Sequence, residues 1–422
     1  MTATVLGTAR GPLLRRGPRP LLMHLMLAML KSSSSVTASL NSSAGWPGWS
    51  GAAAERARVI AAAAREAAGG RPEAFPQAVV MEALQQDREL VAGIAAYRRH
   101  PWRRELPDPP VLWTEGETRL LDFGRGRGRG GPTLLLVPSL VNRAYILDLA
   151  PGRSMARFLA DAGVRVLLLD WGWPGEVERS FTLTDYIAGR LSRALQAACA
   201  QPRSSRVVLG GYCMGGLLAV AAAQGLPRYV AGLALLATPW DFHADDPDRA
   251  HTLARLAPLL EPAMAIGGAL PVDLLQVLFA LLDPWGIASK YRGFARLPQD
   301  SERARQFVAL EDWLNDGVPL AAPVARECLQ GWYGANAPAA GTWRVAGLPV
   351  MPGRLDLPCF VAVPARDRIV PPESARPLAA LIPGAVLHQP QAGHIGMAAG
   401  SGAEAALWRP LLEWLRGLPG RA

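Results

Sequence analysis

One turn constrains this chain more than any other stretch. Arg206-Val-Val-Leu-Gly210 reads as a short apolar strand that runs into Gly211-Tyr212-Cys213-Met214-Gly215-Gly216, and then into a helical stretch over 217–224. A nucleophile presented between strand and helix, with glycine two residues to either side, is the Gly-x-Nuc-x-Gly elbow, here carrying cysteine. The nucleophile's backbone is strained there, and side chains at the flanking glycines would collide with the strand and the helix. The turn also sets Cys213 at a helix N-terminus, where the dipole favours a thiolate over a neutral thiol. The bland alternative is a buried cysteine beside a glycine-rich turn; the complete spacing favours the elbow.

The surrounding chain suits that turn. Arg119–Phe123 and Thr133–Val137 read as two strands around a glycine-rich loop, and short apolar runs at 164–170, 206–210, 232–237 and 359–363 are bounded by turn residues, as buried parallel strands are. Helical stretches at 154–162, 183–200 and 216–224 separate them, so a mostly parallel sheet with helices on both faces is expected. About 120 residues after the fifth strand lack strand character, apart from a possible hairpin near 343–350. They read as helices over 249–260, 272–282, 302–315 and 324–333, studded with Trp285, Tyr291, Trp313, Trp332 and Tyr333. An insertion of that size predicts a helical lid over a site, placed at about residues 242–345.

A cysteine nucleophile needs a base, and the base an orienting acid. In an elbow-bearing α/β fold the chain order is nucleophile, acid, histidine. Of six histidines only His388 and His394 follow the last strand-like runs. His388 lies within a strand-like segment. His394, in Gln391-Ala392-Gly393-His394-Ile395-Gly396, lies in the loop beyond it and is the candidate base. Asp367 stands just past the carboxyl end of the 359–363 strand and is the candidate acid; Asp356, ahead of that strand, points from the wrong end. An acyl oxyanion needs two donors, expected to be the backbone amides of Met214 and of Val141 in the loop after 133–137.

The rest of the chain excludes several functions. The four cysteines are scattered, with no Cys-x-x-Cys pair or zinc-ligand spacing, and there is no dinucleotide fingerprint. No metal and no bound cofactor are expected. The net charge of +9 is almost all arginine, Lys31 and Lys290 being the two lysines; arginine suits phosphates, but an Ala-, Gly- and Pro-rich composition explains most of it. The repeat Arg125-Gly-Arg127-Gly-Arg129-Gly-Gly could bind RNA, yet a flexible hairpin connection between two strands is simpler, so no nucleic-acid partner is expected. Residues 1–50 contain basic residues, no acid and one apolar stretch, 21–30. A secretory signal, a disordered arm and a short helix on an apolar surface compete there; a basic, disordered arm is the expectation. Residues 51–110 read as a helical extension closed by a proline-rich linker, and 111–420 as the catalytic domain.

With these residues placed, the chain resembles the catalytic subunit of polyhydroxyalkanoate synthases, most closely the class III type, within the α/β-hydrolase superfamily. The matching fragments are ordered: Val137-Pro-Ser-Leu-Val-Asn-Arg-Ala-Tyr145 with Asp148; Leu169-Asp170-Trp171-Gly172-Trp173-Pro174; Leu183-Thr184-Asp185-Tyr186-Ile187; the elbow; Ala237-Thr238-Pro239-Trp240-Asp241-Phe242-His243; Asp367-Arg-Ile-Val-Pro-Pro372; and Gly393-His394-Ile395-Gly396. The resemblance covers roughly residues 111–416. The resemblance implies a (R)-3-hydroxyacyl-coenzyme A substrate, a polyester product and an acyl-cysteine intermediate on Cys213. His394 would take its proton and, paired with Asp367, activate the 3-hydroxyl of the incoming unit. The scattered cysteines point to a reducing compartment, so a cytoplasmic location is expected; a polyester granule surface and a second synthase subunit, as the class III type uses, or a homodimer are the expected partners. The family's Asp-His pair is Asp367-Arg368 here, and Met214 replaces a commoner polar residue; both departures fall at the expected pocket. A cysteine-type hydrolase of the same fold, cleaving a polyester or acyl ester, and a non-catalytic granule-associated protein are the competing readings.

Overall fold

The computed structural model describes residues 15–41, 50–124, 132–200 and 205–418. The chain divides into two compact units.

The larger unit comprises Arg104–Leu282 and the described residues from Asp316 onward. Its centre is a sheet of β1 (Val111–Glu115), β2 (Thr118–Asp122), β3 (Thr133–Val137), β4 (Arg165–Asp170), β5 (Val207–Tyr212), β6 (Val230–Leu236), β7 (Cys359–Ala362) and β8 (Val386–His388). The spatial order is β1-β2-β4-β3-β5-β6-β7-β8. All pairs from β4 to β8 are parallel, and β1 and β2 close one edge antiparallel. Every residue of β3 and β5 is buried, which is why these strands read as unbroken apolar runs: helices cover both faces, leaving no solvent side to alternate toward. This is the α/β-hydrolase fold expected from the sequence.

The strands at 119–123 and 133–137 do not form a hairpin. β4 lies between them, parallel to β3 and antiparallel to β2. The Arg-Gly repeat that links them lies outside the described residues.

Between β6 and β7 the unit carries helices Pro247–Arg255, Ala257–Gly267, Val272–Ala280 and Ala322–Arg326, then a π-helical turn Glu327–Gly334. The helix expected over 249–260 is interrupted at Leu256. Pro258 stands in the first turn of the second helix, where it cannot continue the hydrogen-bond ladder of the first. Two-residue strands Ala269–Leu270 and Leu320–Ala321 pair antiparallel, and Arg344–Val345 forms a hairpin with Leu348–Pro349.

The smaller unit comprises the described residues up to Arg103 together with Asp283–Asn315. The lid expected over 242–345 is therefore not one body, because its middle third belongs to this second core. Helix Ala74–Arg99 supplies Leu90, Ile94 and Tyr97, and the inserted helices supply Tyr291, Phe294 and Val308 to one buried cluster. Each such side chain contributes roughly 1.5–3 kcal/mol by leaving water, so the insertion gains a core of its own. The arm expected to be disordered over 1–50 contains helix Leu21–Leu40. That segment has no internal Gly or Pro, and Leu21, Leu25 and Ala28 pack on the same cluster. Arg15, also buried, pairs with Asp312 at 2.6 Å, and Tyr97 donates its hydroxyl to the same carboxylate at 2.9 Å. Among the described residues no helix is long and apolar enough to cross a membrane.

Candidate active site

Parallel strands bring their carboxyl ends to one edge of the sheet, and ligands in open α/β sheets bind there. Cys213 follows β5, Val141 lies in the loop after β3, Asp367 follows β7 and His394 follows β8.

Cys213 has φ 56° and ψ −128°, in the positive-φ region that side-chain-bearing residues seldom occupy. Such a conformation costs about 1–3 kcal/mol and persists where its surroundings over-determine it. Here the Cys213 amide donates to the Leu236 carbonyl at 2.8 Å, and helix Met214–Gly225 starts at once. The flanking glycines are required by close approach. A Cβ at Gly211 would lie 2.3 Å from the Gly216 Cα, and one at Gly215 would lie 2.0 Å from the Val137 carbonyl oxygen. The sharp turn thus packs the start of the helix directly on the end of β3.

The buried Asp367 carboxylate is held at both oxygens. Oδ1 accepts the amides of Ile369 and Val370 at 2.9 Å each, and Oδ2 accepts from His394 Nδ1 at 2.7 Å. Engaging Nδ1 leaves Nε2 as the ring's other nitrogen, and the Cys213 side chain hydrogen-bonds the ring. Burial by itself would push the His394 imidazolium down. The charges of Cys213 and Asp367 and their hydrogen bonds to the ring overcome that and raise it to about 10. The three residues named from the sequence therefore meet in space, as a sulfur, an imidazole and a carboxylate in series.

His388 does not join them. Its Nε2 bonds the Ala406 carbonyl at 2.6 Å, and its ring stacks on Phe360. Asp356 is exposed ahead of β7. All four cysteines are free thiols. Burial pushes Cys199 up to about 11 and Cys359 up to about 12, and burial with the neighbouring Glu327 carboxylate pushes Cys328 further, so none of these three is a thiolate at neutral pH.

A cavity of about 190 Å³ opens over the sulfur. Val141, Cys213 and Met214 line it, so the two residues expected to supply oxyanion donors border the same space as the sulfur's residue. Its walls are mostly apolar, with Leu275, Phe279 and Trp332 among them; Arg368, the residue beside the acid, also lines it. The first amides of a helix have no acceptor within the helix, which leaves Met214 N–H available to an oxyanion. Among the described residues no group of three or more His, Cys, Asp or Glu could hold a metal.

Tyr212 is the site residue that sequence reasoning passes over. Its ring lies 5.1 Å from the His394 ring, and its hydroxyl donates to the His394 carbonyl. Its place beside the nucleophile was visible; its contact across the sheet had no local signal.

Residues 132–259 match the family described as alpha/beta hydrolase fold. The chain is 30% identical over 312 residues to a poly(3-hydroxyalkanoate) polymerase subunit PhaC of Haloferax mediterranei, covering 72% of this chain and 63% of that one. A subunit of the same name from Haloarcula marismortui is 29% identical over 291 residues, covering 67% and 60%. One from Allochromatium vinosum is 28% identical over 309 residues, covering 71% and 86%. The chain thus spans less than two thirds of the length of the two haloarchaeal relatives.

Proposed function

The chain belongs to the α/β-hydrolase superfamily and is a relative, within it, of the poly(3-hydroxyalkanoate) polymerases, and from that premise we propose that it is a polyester synthase using Cys213 as an acyl carrier. The observation that carries the proposal is the Asp367 carboxylate held 2.7 Å from His394 Nδ1, which leaves the other ring nitrogen to Cys213.

In this reading His394 takes the Cys213 proton, and the sulfur attacks the carbonyl carbon of a (R)-3-hydroxyacyl-coenzyme A. The carbonyl oxygen becomes an oxyanion facing the amides of Met214 and Val141. Collapse breaks the thioester, and the coenzyme A thiolate leaves with the proton His394 carried. The products are free coenzyme A and an acyl-cysteine. The His394–Asp367 pair then removes the proton from the 3-hydroxyl of an incoming hydroxyacyl-coenzyme A, whose oxygen attacks the acyl-cysteine. The Cys213 sulfur leaves and takes the proton back from His394, and the lengthened chain, now a coenzyme A thioester, returns to Cys213 by the first step. Cysteine suits the task because passing an acyl group between thioesters is nearly isoenergetic, whereas a serine ester would hold the chain more tightly. The apolar cavity walls favour ester formation by keeping water from the acyl-cysteine. The reading assigns the chain to the cytoplasm at the surface of polyester granules, with a second synthase subunit or as a homodimer.

The test is purified protein with 3-hydroxybutyryl-coenzyme A, following free thiol and insoluble polymer. Thiol release with polymer is the expected result. Thiol release with only free hydroxy acid identifies a hydrolase instead, and no turnover in the presence of either candidate second subunit or granule surface overturns the catalytic reading.

A further inference from the structure

The oxyanion loop is held by a short strap from a distant part of the chain. Val318 donates its amide to the Val141 carbonyl at 3.0 Å, and Gly317 makes an antiparallel bridge with Asn142. The strap itself is fixed: Val318 is 4% exposed, and the next residues, Leu320–Ala321, pair with Ala269–Leu270. There is no room for it to drift, since a Cβ at Gly317 would come within 2.8 Å of the Val272 side chain. The other end of the loop is pinned as well. Trp171 donates its indole N–H to the Pro138 carbonyl at 3.0 Å, and Leu140 between the two anchors is buried.

We infer that the Val318 amide is a positioning group for catalysis: by fixing the Val141 carbonyl it aims the Val141 N–H at the oxyanion. The inference rests on the reading of Cys213 as an acyl nucleophile. A donor stabilises an oxyanion only if it is in place before charge develops, and a loop free to turn about Val141 would have to be reordered at each turnover. The Val137 end of the loop is set by the helix packed on Gly215, and the strap bonds the Val141 carbonyl itself. Val318 touches no reacting atom and acts through Val141 alone.

The experiment compares two reactions of the same sulfur. Alkylation of Cys213 by iodoacetamide displaces iodide at a saturated carbon and builds no oxyanion; acyl transfer from a thioester or from p-nitrophenyl butyrate does. The variant replaces the amide between Gly317 and Val318 with an ester, which deletes the Val318 N–H while keeping every side chain; Val318→Pro is the coarser second variant. The expected result is acyl transfer lowered roughly 10- to 100-fold in kcat with KM little changed, and an unchanged alkylation rate. Unchanged acyl transfer, or an equal fall in both reactions, overturns the inference. If the parent cleaves the p-nitrophenyl ester but not the coenzyme A thioester, the polyester reading fails while the strap is still judged on the ester. A parent inert to both overturns the two together.

Discussion

The hydroxyl of Tyr212 reaches across the sheet to the backbone carbonyl of His394, 3.3 Å away. The residue that precedes the sulfur therefore holds the loop that carries the base, and both depend on one edge of the sheet. The bond is long, so its expected worth is modest: Tyr212→Phe should cost about 0.5–1.5 kcal/mol in denaturant unfolding. Turnover should fall less than tenfold, because the Asp367 bond to His394 remains.

Cys213 and His394 should respond to substitution unlike His388. Cys213→Ser and His394→Ala are each expected to lower acyl transfer by two or more orders of magnitude, on the order of the losses seen when members of a triad are removed. His388→Ala, whose ring is occupied by Ala406 and Phe360, should leave the rate within a few-fold of the parent. Steady-state turnover of the three variants separates the two histidines; a large loss in His388→Ala would sink the assignment.

His394 is raised to about 10 against an ordinary 6.5, so the folded state binds its proton more tightly than the unfolded chain does. Protonation therefore stabilises the fold. The contribution is complete below pH 6.5 and fades as pH rises through about 10. Thermal unfolding of the parent and of His394→Gln, followed from pH 6 to pH 10, should show the parent losing stability with pH faster than the variant. Parallel curves would show that the imidazolium is not held by Cys213 and Asp367.

The elbow glycines give a stability prediction with a built-in control. Gly215→Ala drives a methyl into the Val137 carbonyl, backbone that cannot turn aside, while Gly225 at the far end of the same helix has nothing within 4 Å of an added Cβ. Gly215→Ala should lower stability by about 1–3 kcal/mol or more. Gly225→Ala should be neutral or slightly stabilising. Calorimetry on both decides whether close packing, rather than loss of a glycine as such, is the cause.

The sheet and the placement of the candidate site residues were legible in the sequence for the same reason: both are written locally. Fully buried strands leave apolar runs, the elbow needs glycines at fixed spacing, and Asp367 and His394 each stand one short loop beyond a strand. Partnerships across long distances leave no such mark. Nothing near Tyr291 or Phe294 tells that their apolar face fills a core with Leu90 and Tyr97 rather than the lid. Nothing in β2 or β3 tells that β4 lies between them. The segment Leu21–Leu40 has helix-compatible residues and an apolar face, but a serine run and a basic approach equally suit an unstructured arm. Its packing partners, not its own residues, decide the matter.

The order in which the chain delivers its catalytic groups has a consequence for a protein still being made. Tyr212, next to the sulfur, precedes His394 by 182 residues, and translation at roughly 5–20 residues per second needs on the order of 10–40 s to cover that distance. Throughout that interval the nascent chain holds Cys213 without the imidazole that stands beside it in the folded protein. On the proposed reading the sulfur is thereby made long before the group that would activate it, and no acyl chain could be started on an unfinished polypeptide.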